Sequence, residues 1–162
     1  MKATPVILLT IGMVTAFGQW AVAQDAAKTP DQYTPADLTA LEKTLGQKTD
    51  ATGTATETLK KYATDYTMLA FRNKSGKAEL HEKFADFYFV VGGEATLVSG
   101  GHIVNSATTA PGEVRGDSVQ DGRETKLKKG DVVHIPANIP HQLVLPKGAT
   151  FQYFIVKVQE IE

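Results

Sequence analysis

Gly76-Lys77-Ala78-Glu79-Leu80-His81-Glu82-Lys83-Phe84-Ala85-Asp86-Phe87-Tyr88-Phe89-Val90-Val91-Gly92-Gly93 reads as a strand, a polar turn and a second, apolar strand that stops at two glycines. A related pattern lies downstream in Gly130-Asp131-Val132-Val133-His134-Ile135-Pro136-Ala137-Asn138-Ile139-Pro140-His141. Alternating apolar and polar residues between Gly and Pro marks are the signature of half-buried strands.

The same rhythm extends on both sides. Tyr66 to Arg72 is a predicted strand, closed by Asn73-Lys74-Ser75-Gly76. Lys77 to His81 and Phe87 to Val91 are strands; Gly92-Gly93 is expected to turn into Ala95 to Ser99, and Gly100-Gly101 into His102 to Asn105. Ser106 to Gly112 reads as a loop. Glu113 to Val119 and Arg123 to Leu127 flank Gln120-Asp121-Gly122, where Asp-Gly predicts a hairpin. Val132 to Ile135, Gln142 to Leu145 and Thr150 to Val158 complete the series. Short strands with glycine-rich turns and no β-α-β alternation predict an all-β, antiparallel sandwich or barrel.

One helix precedes the strands. Thr34 can cap it, Pro35 suits its first turn and Asp37 stands where a capping-box acid belongs. Leu38, Leu41 and Leu45 form a single apolar stripe, so the helix is expected to lie on the outside of the sheet. Gln47 to Thr56 reads as a loop, and Thr58 to Tyr62 fits a helical turn or a strand equally.

Together the two quoted stretches resemble the paired motifs of the cupin superfamily, over roughly Tyr66 to Val158. The resemblance implies a jelly-roll β-barrel with a short N-terminal helix. The first cupin motif is Gly, five residues, His-x-His, three or four residues, Glu, six residues, Gly. Here the counterparts are Gly76, one residue out of place, then His81, Lys83, Asp86 and Gly93, with Lys83 in the place of the second His, Asp86 in the place of Glu, and the Asp86-to-Gly93 interval as the motif has it. The second motif is matched by Gly130, Pro136, Asn138 and His141, with Leu145 in place of the closing Asn and expected in the core.

In metal-bearing cupins three His and one Glu hold a divalent ion such as iron, manganese, nickel, copper or zinc. The carry-over is His81, Asp86 and His141, similar to a two-His, one-carboxylate triad. Lys83 argues the other way. Its parity with His81 on one strand predicts that both face the same side, and a protonated Lys has no lone pair for a metal. It can instead pair with Asp86, leaving a metal-free pocket in which Lys83 and the histidines hold a small polar ligand. Tyr66, Arg72, Gln152 and Tyr153 are candidates to line that pocket, Tyr153 as a ligand contact. Glu82 points outward as a reserve ligand; His134 and His102 read as sheet and surface residues, and Phe87, Tyr88 and Phe89 as core and barrel lining. Two functions therefore stay open: a metal-dependent enzyme acting on a small oxygenated molecule, and a binding barrel without catalysis. The resemblance also implies a homodimer as a possible assembly.

Composition narrows the class. The chain has 162 residues, 42% of them hydrophobic and 22% charged, which suits one soluble globular domain. A net charge of -1, with no basic run beyond the short Lys128-Lys129, argues against a nucleic-acid surface. Lys2, the apolar run Val6 to Val14 and Ala21-Val22-Ala23 compose a secretory signal with cleavage after Ala23. The expected divisions are thus residues 1–23 as signal, 24–56 as helix and linker, and 57–162 as barrel. The mature protein is expected in the periplasm or secreted, free of the membrane. With no Cys it can be neither a lipoprotein nor disulfide-bonded, so packing alone must hold it together.

Overall fold

Sixteen consecutive residues, Phe84–Ser99, form the strand on which the molecule is built. The computed structural model describes residues 29–160, and the predicted signal segment lies outside them. Residues from Tyr33 onward form one compact unit. In chain order its elements are α1 (Pro35–Gly46), β1 (Thr54–Lys61), β2 (Asp65–Arg72), β3 (Ala78–His81) and β4 (Phe84–Ser99). Next come β5 (His102–Val104), β6 (Ala107–Ala110), β7 (Glu113–Gly116) and β8 (Ser118–Gln120). The last are β9 (Arg123–Lys128), β10 (Val132–Ile135), β11 (His141–Val144) and β12 (Phe151–Gln159).

The main sheet runs β1-β2-β12-β4-β11-β3-β7-β6, with β9 and β10 also paired to β4, and every pairing is antiparallel. The first half of β4 pairs with β12 and β10, the second half with β9 and β11. One strand therefore serves both walls of the curled sheet. Gly92-Gly93 makes this possible. It is not the turn its sequence predicts but a bulge: Gln152 pairs with Gly92 while Tyr153 pairs with Val90. Gly93 has φ +74°, and a Cβ there would lie 1.9 Å from the Thr150 carbonyl oxygen, so only glycine fits.

Three further expectations are corrected by strand pairing. Thr54–Lys61 is one strand, so the barrel sheet begins before residue 57: the β-branched Thr residues pair along β2 and Ala55 is buried. Ala107–Ala110, within the predicted loop, is an exposed edge strand on β7. Asp121-Gly122 does turn the chain, with Asp121 at φ 58°, yet β8 pairs with β5 and β9 with β4, so it joins no hairpin.

Tyr88, Leu97, Leu143, Phe151, Tyr153 and Ile155 fill the barrel, and Leu145 joins them as expected. The helix is capped as its sequence predicts: the Asp37 amide donates to Thr34 Oγ1 (3.2 Å) and the Thr34 amide to Asp37 Oδ2 (2.9 Å). Its apolar stripe packs outside the barrel, where Leu38, Leu41 and Leu45 meet Ala55, Leu69 and Phe71.

Candidate metal centre

At one end of the barrel the apolar lining gives way to polar side chains. Glu79 and His81 alternate along β3 and point inward together; Asp86 and Tyr88 do so along β4. His141 opens β11, after the Pro136 to Pro140 turn in which Asn138 has φ 63°. Lys157 reaches in from β12. His81, Asp86 and His141 are all under 5% exposed.

Second partners fix both imidazoles. The Glu113 carboxylate can only accept, so His81 Nδ1 donates to it, at 2.8 and 2.9 Å from its two oxygens. His141 Nδ1 likewise donates to the Ile139 carbonyl at 2.9 Å. In each neutral ring the lone pair is then on Nε2, and both Nε2 atoms face inward. His141 Nε2 lies 3.4 Å from Glu79 Oε1 and 3.7 Å from Asp86 Oδ2. His81 Nε2 lies 3.5 Å from Asp86 Oδ2 and 3.9 Å from Glu79 Oε2, and it is buried without a hydrogen-bond partner. His141 Nε2 also has the Tyr88 hydroxyl at 3.4 Å, so only the His81 Nε2 is without a hydrogen-bond partner. Ring nitrogens pinned at Nδ1 with Nε2 facing inward are how protein histidines are set for a metal.

Of the three residues carried over from the motifs, all meet in this cluster. Asp86, however, is partly committed. Its Oδ1 accepts from Lys157 Nζ at 2.5 Å and its Oδ2 from the Tyr88 hydroxyl at 3.1 Å. Among the described residues, the group whose ligand atoms converge within 4.8 Å is Glu79, His81 and His141.

Glu79 was not among the residues the sequence singled out, and Lys83 falls outside the cluster. The strand ends at His81, so Glu82 and Lys83 form a two-residue turn and Lys83 is exposed. The parity that placed it beside His81 applies only within a strand. The lysine on Asp86 is Lys157 instead. Counting the cupin motif from Glu79-Leu80-His81 gives four residues to Asp86 and six more to Gly93, so Glu79 and His81 occupy the His-x-His positions. That spacing was the available signal.

The electrostatics are those of a tight ion cluster. Burial opposes charge on Glu79, but His141, Arg115 and His81 outweigh it and hold its carboxyl well below the usual range. Asp86 is likewise disfavoured by burial, yet His81 and Lys157 lower it. For His81, burial alone would favour the neutral ring; Asp86 and Glu79 outweigh burial and Lys157 and raise its pKa. Burial, with Asp86 and Glu79, pushes the Tyr88 phenol well above its ordinary value, so it stays a donor. Arg115 bridges Glu113 (2.9 Å) and Glu79 (3.4 Å) at the rim.

Tyr153 is buried, and its hydroxyl accepts from Arg72 Nε at 3.0 Å, so it supports Arg72 and does not open onto the pocket itself. Gln152 is buried against Gly92. Tyr66 packs on Phe84 and lies level with Lys157 and Asp86 across β2, β12 and β4, and burial, with Asp86, Glu113 and Glu79, raises its phenol above the ordinary value. His134 stacks on Phe87 (4.2 Å) and His102 is exposed beside Asp121, both away from the cluster.

The curled antiparallel sheet with a polar cluster at one mouth is the double-stranded β-helix, the fold of the cupins. A solved Klebsiella pneumoniae protein described as having a double-stranded β-helix domain aligns with it at a TM-score of 0.50 and 14% identity, over 67% of this chain and 79% of that one. The polyketide cyclase RemF of Streptomyces resistomycificus aligns at 0.48 and 20% identity, over 67% of this chain and 66% of the cyclase. A predicted oxalate decarboxylase of Thermotoga maritima aligns at 0.49 and 12%, over 66% and 81%. No family model and no curated protein matches the sequence.

Proposed function

We propose that this cupin barrel binds a divalent transition metal through Glu79, His81 and His141, and acts there on a small oxygenated molecule. One observation carries the reading: His81 Nε2 is buried, unpartnered and aimed at two carboxylates, while its other nitrogen is fixed by Glu113. In the neutral ring a lone pair held this way, facing carboxylates, is costly unless a cation, a proton or a metal, fills the space between them. Two imidazoles and a carboxylate suit iron, manganese, nickel, copper or zinc. When bound, such an ion supplies a Lewis acid. The chain's own part is to hold both Nε2 atoms inward, to keep the Tyr88 proton at the cluster, and to exclude water with the apolar lining behind it.

A second reading rests on Lys157. Its ammonium already compensates Asp86, as a resident cation would, and this supports a metal-free binding barrel. Elemental analysis and zinc titration of the purified chain separate the two. The metal reading expects about one ion per chain, with uptake lost in Glu79→Ala and in His141→Ala. Binding that is absent in the native sequence leaves the metal-free barrel. We further infer export, from Lys2, the apolar run and Ala21-Val22-Ala23. Intact mass of protein recovered from the periplasm or medium should begin at Gln24; a product retaining Trp20 would refute it.

A further inference from the structure

Beside the cluster lies a cleft of about 590 Å³, within the range of small-molecule sites. Its charged lining is Arg72, Lys74, Lys77 and Arg115 against Asp50 and Glu79. Glu79 belongs to both places: Oε1 faces His141, Oε2 faces Arg115. A molecule in the cleft therefore touches the cluster directly.

The cations are not equivalent. Arg115 is engaged by Glu79 and Glu113, and Lys74 donates to the Ala51 carbonyl at 3.1 Å. Asp50 is taken up by Thr52 and Thr54. Arg72 stands apart. It closes β2, where its Nε donates to the buried Tyr153 hydroxyl (3.0 Å) and its Nη1 to Thr54 Oγ1 (2.9 Å). Both acceptors are neutral, and among the described residues no carboxylate lies within ion-pair distance of it. Its plane is thus set, Glu79 and Asp50 act on its charge only from beyond ion-pair distance, and Nη2 keeps its donors. Gly76 makes the room, since a Cβ there would lie 2.7 Å from Nη1. Lys77, exposed next to it, also has no ion-pair partner among the described residues. A fixed guanidinium with free parallel donors is matched by a carboxylate. The mount leads back to the cluster: Tyr153 packs on Tyr88 with ring centroids 4.8 Å apart, and Tyr88 donates to Asp86.

We infer that the cleft binds a small carboxylate anion on Arg72, with Lys77 at its outer edge, and that such carboxylates are the class of molecule the centre acts on. The second half rests on the metal reading; the first does not. Calorimetric titration of the full chain with succinate, with its neutral diamide and with inorganic phosphate tests it, first after metal is stripped with a chelator and then after zinc loading. Succinate should bind the stripped chain and the diamide should not. Arg72→Gln should weaken succinate by about tenfold or more, and Lys77→Gln by about threefold. Equal binding of diamide and succinate, or tighter binding of phosphate, overturns the assignment. Should Arg72→Gln fail to fold, Lys74→Gln/Lys77→Gln keeps the question open to refutation, because unchanged succinate affinity there overturns it too. Zinc uptake without succinate binding removes the cleft and leaves the metal centre. Succinate binding that depends on Arg72 without zinc uptake removes the metal centre and leaves the cleft.

Discussion

The barrel has two interiors built from the same strands. β4 gives Leu97 to one and Asp86 to the other; β11 gives Leu143 and His141, and β12 gives Phe151 and Lys157. Burial does not distinguish them, since Leu97 is 2% exposed and His141 1%. Chemistry does. Taking Leu97 and Phe151 out of water is favourable, whereas the same transfer for Asp86 or His81 is costly until hydrogen bonds and opposite charges offset it. One end therefore holds the fold together. The other is a cost the fold carries, and buried, perturbed titrating groups at such a place are the observation that supports the proposed metal centre.

The hardest break in that contrast should come from the apolar end. Phe151 is fully buried among the barrel's rings. Phe151→Ala should destabilise the chain by about 3–5 kcal/mol in denaturant unfolding. A loss under about 1 kcal/mol would mean that the apolar end is not the main support.

Lys157→Met comes next. The variant strips Asp86 of its ammonium partner and leaves a buried carboxylate, at a cost of about 3 kcal/mol in chelator. With saturating zinc part of this loss should return, because the incoming cation sits near Asp86 as well. An equal loss with and without zinc would detach Asp86 from the metal.

A smaller effect sharpens the comparison by pH. The raised pKa of His81 means that the folded, metal-free protein holds its proton more tightly than the unfolded chain does. That stabilisation is complete below the ordinary imidazole value near 6.5 and is lost as pH rises through the raised one. Zinc requires the deprotonated ring, so its stabilisation should grow over the same interval. Thermal midpoints measured with zinc and with chelator should diverge as pH rises; parallel curves would mean that proton and metal do not compete at His81.

The apolar end was largely legible in the sequence, because alternation and Gly/Pro marks locate strands whose cores need only be apolar. Gly92-Gly93 misled, since two glycines suit a turn and a bulge equally, and only the pairing of Gln152 and Tyr153 across from them decides. At the polar end the identities of His81, Asp86 and His141 were readable from motif spacing. The register around His81 had one sign, the four residues between His81 and Asp86, and the turn Glu82-Lys83 hid it by carrying no Gly or Pro and looking like more strand. Lys157 had a local sign as well, sharing the inward face of β12 with Tyr153 and Ile155. Its partner Asp86 is far away in the chain, and nothing short-range announces the pair.

Lys83→His tests that register at the smallest scale. Had Lys83 stood second in the His-x-His pair, a new imidazole there would complete the ligand set and raise zinc affinity by orders of magnitude. In the structure Lys83 is on an exposed turn after β3, and Glu79-Leu80-His81 fills the motif. A side chain there cannot share the inward direction of His81, because strand alternation stops with the strand. Lys83→His should therefore leave zinc affinity unchanged within about twofold and stability within about 0.5 kcal/mol. Glu79→His is its counterpart. It places a third imidazole among His81 and His141, where zinc favours nitrogen donors, and removes a carboxylate that Arg115 now balances. It should keep zinc binding while Glu79→Ala loses it. Tighter zinc binding by Lys83→His, with no change on losing the Glu79 carboxylate, would put the ligand positions two residues further along the chain and undo the cluster as drawn.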